Sequence, residues 1–187
     1  MSKFYRLPLS KVIWLMMIAV ILWAVIGYAT RKNKKAEKYW RYINMALCIS
    51  SCFLIIKMTL LGRTVGERTL ILMPFYTFTT MSYNNEALRT LLMNVILFLP
   101  LGLTLPYVKK EKKSHKWIYC ILAGCVLSIG VELLQYCFAL GQAETDDVIC
   151  NTLGCALGVT ADIMAEMANL VKCLSGTSAD EILEKLK

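Results

Sequence analysis

Five apolar blocks, each close to twenty residues long, constrain this chain more than any other feature. They cover residues 12–30, 43–61, 91–108, 117–140 and 148–171, with short charged stretches between most of them. A helix rises 1.5 Å per residue, so about twenty apolar residues cross the roughly 30 Å hydrocarbon core of a bilayer. A lone segment in lipid must satisfy its own backbone polar groups, and the helix does so within itself. The fold class expected is therefore all-α: a polytopic membrane bundle of about five transmembrane helices. Composition agrees, at 57% hydrophobic and 18% charged residues, where soluble domains run at about 45–50% and about 25%.

The net charge of +8 does not indicate nucleic acid. The basic residues sit in loops beside apolar blocks, where anionic lipid and the positive-inside bias account for them. Eight cysteines, Cys48, Cys52, Cys120, Cys125, Cys137, Cys150, Cys155 and Cys173, lie within or beside apolar blocks and read as small buried hydrophobes. Cys48 and Cys52 share a helix face, but no histidine or second cysteine pair completes a metal-ligand pattern. No metal and no cofactor are expected.

The first block follows Lys3, Arg6 and Lys11 and runs straight into Arg31, Lys32, Asn33, Lys34 and Lys35. A signal peptide has a shorter apolar core and ends at a small-residue cleavage site, so a retained helix is expected. Between the second and third blocks, residues 62–90 hold Met73-Pro74-Phe75 in an apolar run too short to span. That run suits an interfacial or re-entrant segment. The last residues read as a short amphipathic helix capped by Ser178 with Glu181 at its third position. The expected organisation is an N-terminal helix (1–36), a membrane domain (37–172) and a cytoplasmic tail (173–187).

Counting Lys and Arg in alternate loops sets the topology. Six follow block one (Arg31, Lys32, Lys34, Lys35, Lys38, Arg41), five follow block three (Lys109, Lys110, Lys112, Lys113, Lys116) and three follow block five. The opposite side has six: three before block one, then Arg63, Arg68 and Arg89. The richer side belongs in the cytoplasm, which puts the N-terminus outside and the C-terminus inside.

With that orientation, polar residues within the blocks gather at one depth. Lys57 lies about 21 Å into its block and Glu132 about 22 Å into its own, both in the outer half of the membrane. Gln135 shares the Glu132 face at i, i+3. Asn94 and Asn151 lie near the outer starts of blocks three and five, and Glu144, Asp146, Asp147, Arg63 and Arg68 cap the same side. Groups of this kind in a span are costly and usually paired or water-facing. Independent explanations exist: Lys57 snorkelling outward, and the amides bonding between helices. Their common depth points instead to an outward-facing polar cavity, lined by Lys57, Arg63, Asn94, Glu132, Gln135, Asp146, Asp147 and Asn151, that binds a charged or hydrogen-bonding ligand. Asp162 and Glu166, at i, i+4 near the inner end of block five, read as a solvated face. Gly154 and Gly158 form a small-xxx-small pair suited to close helix packing.

Several of these residues stand in a recognisable order. Asn94 to Gly102 with Phe98 and Pro100, then Glu132-Leu-Leu-Gln135, then Asp146-Asp147 through Asn151 to Gly154 and Gly158, together resemble the VanZ-like family. Met73-Pro74-Phe75 after Gly62-Arg63 resembles that family's upstream Pro-Phe element. The resemblance covers about residues 60–160 and leaves the first helix outside. It implies a bacterial plasma-membrane protein, and the family's namesake is associated with resistance to glycopeptides such as teicoplanin. Many relatives carry an arginine before the Asp pair; here that stretch is Gly141-Gln142-Ala143-Glu144-Thr145, leaving Arg63 or Arg68 to supply the cation.

Three functions remain open on this reading. The first is a binding or protective protein whose partners are membrane lipid and a cell-wall precursor or glycopeptide. The second is an intramembrane enzyme on a lipid-linked substrate, with Glu132 and Asp147 as the acid/base pair. The third is a small proton-coupled transporter, for which no inverted repeat is visible.

Overall fold

The computed structural model describes residues 8–30, 33–61, 63–80, 85–108 and 116–175. Within them five helices are long and apolar enough to cross a membrane: Leu9–Thr30, Lys35–Leu61, Asn85–Tyr107, Trp117–Cys137 and Thr145–Ala168. The chain is a multi-pass membrane protein. The helix expected after Ser178, the lysines at 109–113 and the basic residues Lys3, Arg6, Arg31 and Lys32 lie outside the described residues.

In chain order the elements are α1 (Leu9–Thr30), α2 (Lys34–Ile56) with a π-helical extension (Lys57–Leu61), and β1 (Thr69–Ile71). Then come α3 (Tyr76–Thr80), α4 (Asn85–Thr104) with a 3-10 turn (Leu105–Tyr107), α5 (Lys116–Cys137), β2 (Gln142–Glu144) and α6 (Thr145–Ser175).

Helices α4 and α6 form the centre, and glycine makes their close approach possible. A Cβ on Gly102 would collide with the Cys155 carbonyl, one on Gly154 with that of Val95, and one on Gly158 with that of Leu99. In lipid there is little hydrophobic drive between helices, so this backbone proximity supplies much of the attraction. Helix α5 packs on α6 where Gly124 faces the Cys155 side chain. A buried cluster of Cys48, Ile55, Phe98, Leu101 and Val131 ties α2, α4 and α5 together. Helix α1 is apolar almost all round, with Trp14, Leu15, Ile18, Ile21, Leu22 and Val25 exposed, as a lipid-facing span should be. It is held by Trp23, whose Nε1 donates to Asn44 Oδ1 at 2.7 Å and whose ring meets Trp40 and Tyr107.

Three features depart from the sequence reading. Helix α2 begins at Lys34, not near residue 43, because Asn33 accepts the Lys35 N–H as an N-cap and Lys and Glu are good helix formers on a solvated turn. Residues 69–71 and 142–144 pair as a parallel two-stranded sheet, Thr69 with Gln142, Leu70 with Ala143 and Ile71 with Glu144. Asp162 is buried and not on a solvated face: it accepts the Tyr107 hydroxyl at 2.9 Å, a partner brought from the end of α4.

Candidate ligand site at the strand-bearing end

The loop before α4 and the link before α6 close one end of the bundle together. Asp146, in the first turn of α6 and 1% exposed, accepts the backbone N–H groups of Phe75 and, at 2.7 Å, Thr77. Thr77 also donates its hydroxyl to Glu144 at 2.7 Å. Phe75 stands at φ 64°, a conformation costly for an aromatic residue, so the Asp146 carboxylate fixes a strained turn. Residues that resemble two separate family elements, Pro74-Phe75 and Asp146, are thus one structural unit.

Beneath this cap lie the buried polar groups. Glu132 accepts the Glu144 N–H at 3.0 Å, and Asp147, Arg63 and Glu144 are its electrostatic neighbours. Asp147 lies within electrostatic reach of Glu144, Arg63 and Asp146 and next to the Asn94 amide. Gln135 donates to the Thr59 carbonyl at 3.1 Å; that carbonyl sits in the π-helical segment, whose wider turn disturbs the regular α-helical ladder. Asn151 donates to Ser128 at 2.9 Å. Beyond the facing Asn94 amide and Asp147 carboxylate, Gln135 Oε1 and Asn151 Oδ1 are buried without a hydrogen-bond partner among the described residues. An unfilled buried polar atom costs roughly 1–3 kcal/mol, so these amide oxygens mark a place short of partners.

A cavity of about 320 Å³ adjoins them, between α1, the end of α2 and α4. Its wall includes Met16, Leu54, Lys57, Met58, Arg63, Met93, Asn94, Ile96, Leu97 and Pro100. Pro100 has no N–H to give to the Ile96 carbonyl, so the α4 ladder is interrupted at this wall.

The eight residues singled out from the sequence therefore divide. Lys57, Arg63 and Asn94 line the cavity. Glu132, Gln135 and Asn151 make contacts between elements, and Asp146 holds the cap. Asp147 stands between the groups, beside Asn94 and in reach of Arg63. Lys57 is exposed and is not among the residues acting on the Glu132 carboxyl. Of the two arginines, Arg68 is exposed and donates to the Cys137 carbonyl. Arg63 instead packs on Gly141, where a Cβ would come within 2.7 Å of its Nη1. So Arg63 brings its cation from another segment to the stretch where relatives carry an arginine of their own. Ser128 escaped the sequence reading, although it precedes Glu132 by one helical turn on the same face.

This end therefore gathers buried carboxylates, amides and the Arg63 cation at one terminus of the bundle. No cluster of three or more metal-ligating side chains suited to an ion occurs among the described residues.

The profile of the VanZ/LLP1 family matches residues 12–165 of the chain. A curated relative, Protein VanZ of Enterococcus faecium, is 38% identical over 93 residues, which make up 50% of this chain and 52% of that protein. The chain spans about half the length of the curated relative it matches. No solved structure matches it.

Proposed function

Starting from the fact that the chain belongs to the VanZ/LLP1 family, we propose that it binds a cell-envelope molecule at an outward-facing polar site and thereby confers glycopeptide resistance. The molecule is a lipid, a cell-wall precursor or a lipophilic glycopeptide such as teicoplanin. The setting is the bacterial plasma membrane, with the N-terminus outside and the C-terminus in the cytoplasm, as the Lys and Arg distribution argues.

One observation carries the reading. Arg63 and Asn94 belong both to the cavity wall and to the surroundings of the Asp147 carboxylate. A ligand in the cavity would meet a cation and an amide already positioned by a buried polar network. Fixed donors of this kind give orientation and selectivity in an otherwise apolar pocket. The resemblance adds the biological direction, since the namesake of the family is associated with teicoplanin resistance.

The test is expression of the full chain in a glycopeptide-susceptible Gram-positive host. The expected result is a raised inhibitory concentration for teicoplanin, diminished by Arg63→Gln. Unchanged susceptibility, together with no binding of teicoplanin or wall precursor to the purified chain, would refute the proposal.

A further inference from the structure

We infer that the cavity between α1, α2 and α4 is a lipid site whose occupant carries an anionic phosphodiester headgroup gripped by Lys57 and Arg63. This deepens the binding reading above and rests on it, by naming the class of ligand.

The first argument is charge. Two side chains of the wall are cationic, Lys57 and Arg63, and none is acidic. Asn94 adds an amide to the same wall, beside the Asp147 carboxylate. Ammonium and guanidinium groups only donate hydrogen bonds, and a phosphodiester's anionic oxygens only accept them. Glu132 and Asp147 interact electrostatically with Arg63 but do not line the cavity, so they do not occupy the ligand's place.

The second argument is the direction of polarity. Lys57 ends the regular part of α2 and Arg63 follows six residues later, both at the strand-bearing end. Leu54 lies one turn back into α2. Along α4 the wall passes from Asn94 to Leu97 and Pro100, about 9 Å deeper at 1.5 Å per residue. Charge at the end and apolar surface toward the middle is how a phospholipid lies in its own leaflet. A wholly polar ligand would leave the deeper half of the cavity in contact with nothing polar.

The third argument is access and size. Leu54 and Lys57 are exposed on the bundle's flank, so the cavity meets the membrane sideways and not only through the cap. About 320 Å³ holds a headgroup and the start of an acyl chain but not a whole phospholipid. The remainder lies along the exposed apolar surface of α2 toward the membrane middle, at Leu54 and Leu47. Met16, Met58 and Met93 give the wall adaptable side chains that tolerate variation in chain structure.

The test is native mass spectrometry of the full chain in detergent, offered equal amounts of phosphatidylglycerol and phosphatidylcholine, with inorganic phosphate as a competitor. Phosphatidylglycerol should be retained in preference, because phosphatidylcholine brings its own cation to Lys57. Losing one charge-assisted bond should weaken that preference about tenfold in Lys57→Gln and in Arg63→Gln, while Lys57→Arg keeps it. Leu54→Trp, which narrows the cavity and leaves both cations in place, should reduce retention of both lipids. An unshifted thermal transition shows that each variant is folded. Equal retention of the two lipids by the native chain overturns the inference, as does a preference that survives Lys57→Gln. Full displacement by millimolar phosphate, with Leu54→Trp indifferent, would make this a free-phosphate site and also overturn it. A chain that prefers phosphatidylglycerol but leaves teicoplanin susceptibility unchanged supports the lipid site while refuting the resistance reading. Resistance without any lipid preference does the reverse.

Discussion

Replacing Asp146 by asparagine should loosen the cap without altering the ligand's own contacts. In the native chain both carboxylate oxygens are used, one on the Phe75 N–H and one on the Thr77 N–H, and the residue is 1% exposed. An asparagine of the same size keeps one acceptor and turns an NH2 toward the other donor. The loss is one charge-assisted bond plus a buried N–H left facing a donor, together about 2–4 kcal/mol. The left-handed backbone of Phe75 then has less to hold it, and such a conformation costs roughly 1–2 kcal/mol by itself. Hydrogen exchange read by mass spectrometry on peptides covering residues 72–80 is the suitable assay. At tenfold per 1.4 kcal/mol, exchange there should quicken roughly thirty- to seven-hundredfold, while the α4–α6 interior stays protected. If Asp146→Asn abolishes ligand binding but leaves exchange at 72–80 unchanged, the positioning role is wrong and Asp146 touches the ligand directly.

Other outcomes follow from the same geometry. Gly158→Leu should destabilise the bundle by more than about 2 kcal/mol in steric or chemical denaturation titrations, because even a Cβ there meets the backbone of Leu99, Gly102 and Leu103; an unchanged midpoint would deny the α4–α6 contact. Asn44→Ala should leave Trp23 Nε1 without its acceptor and cost about 1–3 kcal/mol, read as a lower thermal transition together with a change in tryptophan fluorescence. Gly141→Ala should strain a backbone at φ 132° and push the Arg63 guanidinium aside, so it should lower phosphatidylglycerol retention as Arg63→Gln does; full retention would separate Gly141 from the site.

The five spans were legible because bilayer thickness imposes one length on every helix, and that length is visible in composition alone. The Gly154–Gly158 contact was legible for a related reason: small residues four apart lie on one helix face, and here that face meets α4. What could not be read came from pairings between distant segments. Phe75 and Asp146 are 71 residues apart, and β1 and β2 have three residues each, too few for an alternating pattern. Asp162 reads as solvated from the sequence because it stands near the inner end of its block, whereas Tyr107 arrives from the end of α4. The start of α2 was hidden by charge, since lysines beside a membrane look the same in a loop and in a helical first turn. The common depth of the polar residues could be counted from the sequence. Their division into cavity wall, interhelical contacts and cap depends on side-chain direction, which residue counting does not give.

The central claim is that the end bearing Lys57, Arg63 and Asn94 opens to the cell exterior. Thiol labelling of intact cells by a membrane-impermeant maleimide tests it, in chains whose exposed Cys137 is replaced by serine. Glu67→Cys, exposed in the loop that follows Arg63 at this end, should label from outside without permeabilisation. Glu37→Cys, exposed in the first turn of α2 at the other end, should label only after permeabilisation. The reverse pattern, with Glu37→Cys reactive from outside and Glu67→Cys silent until the membrane is opened, would contradict the account.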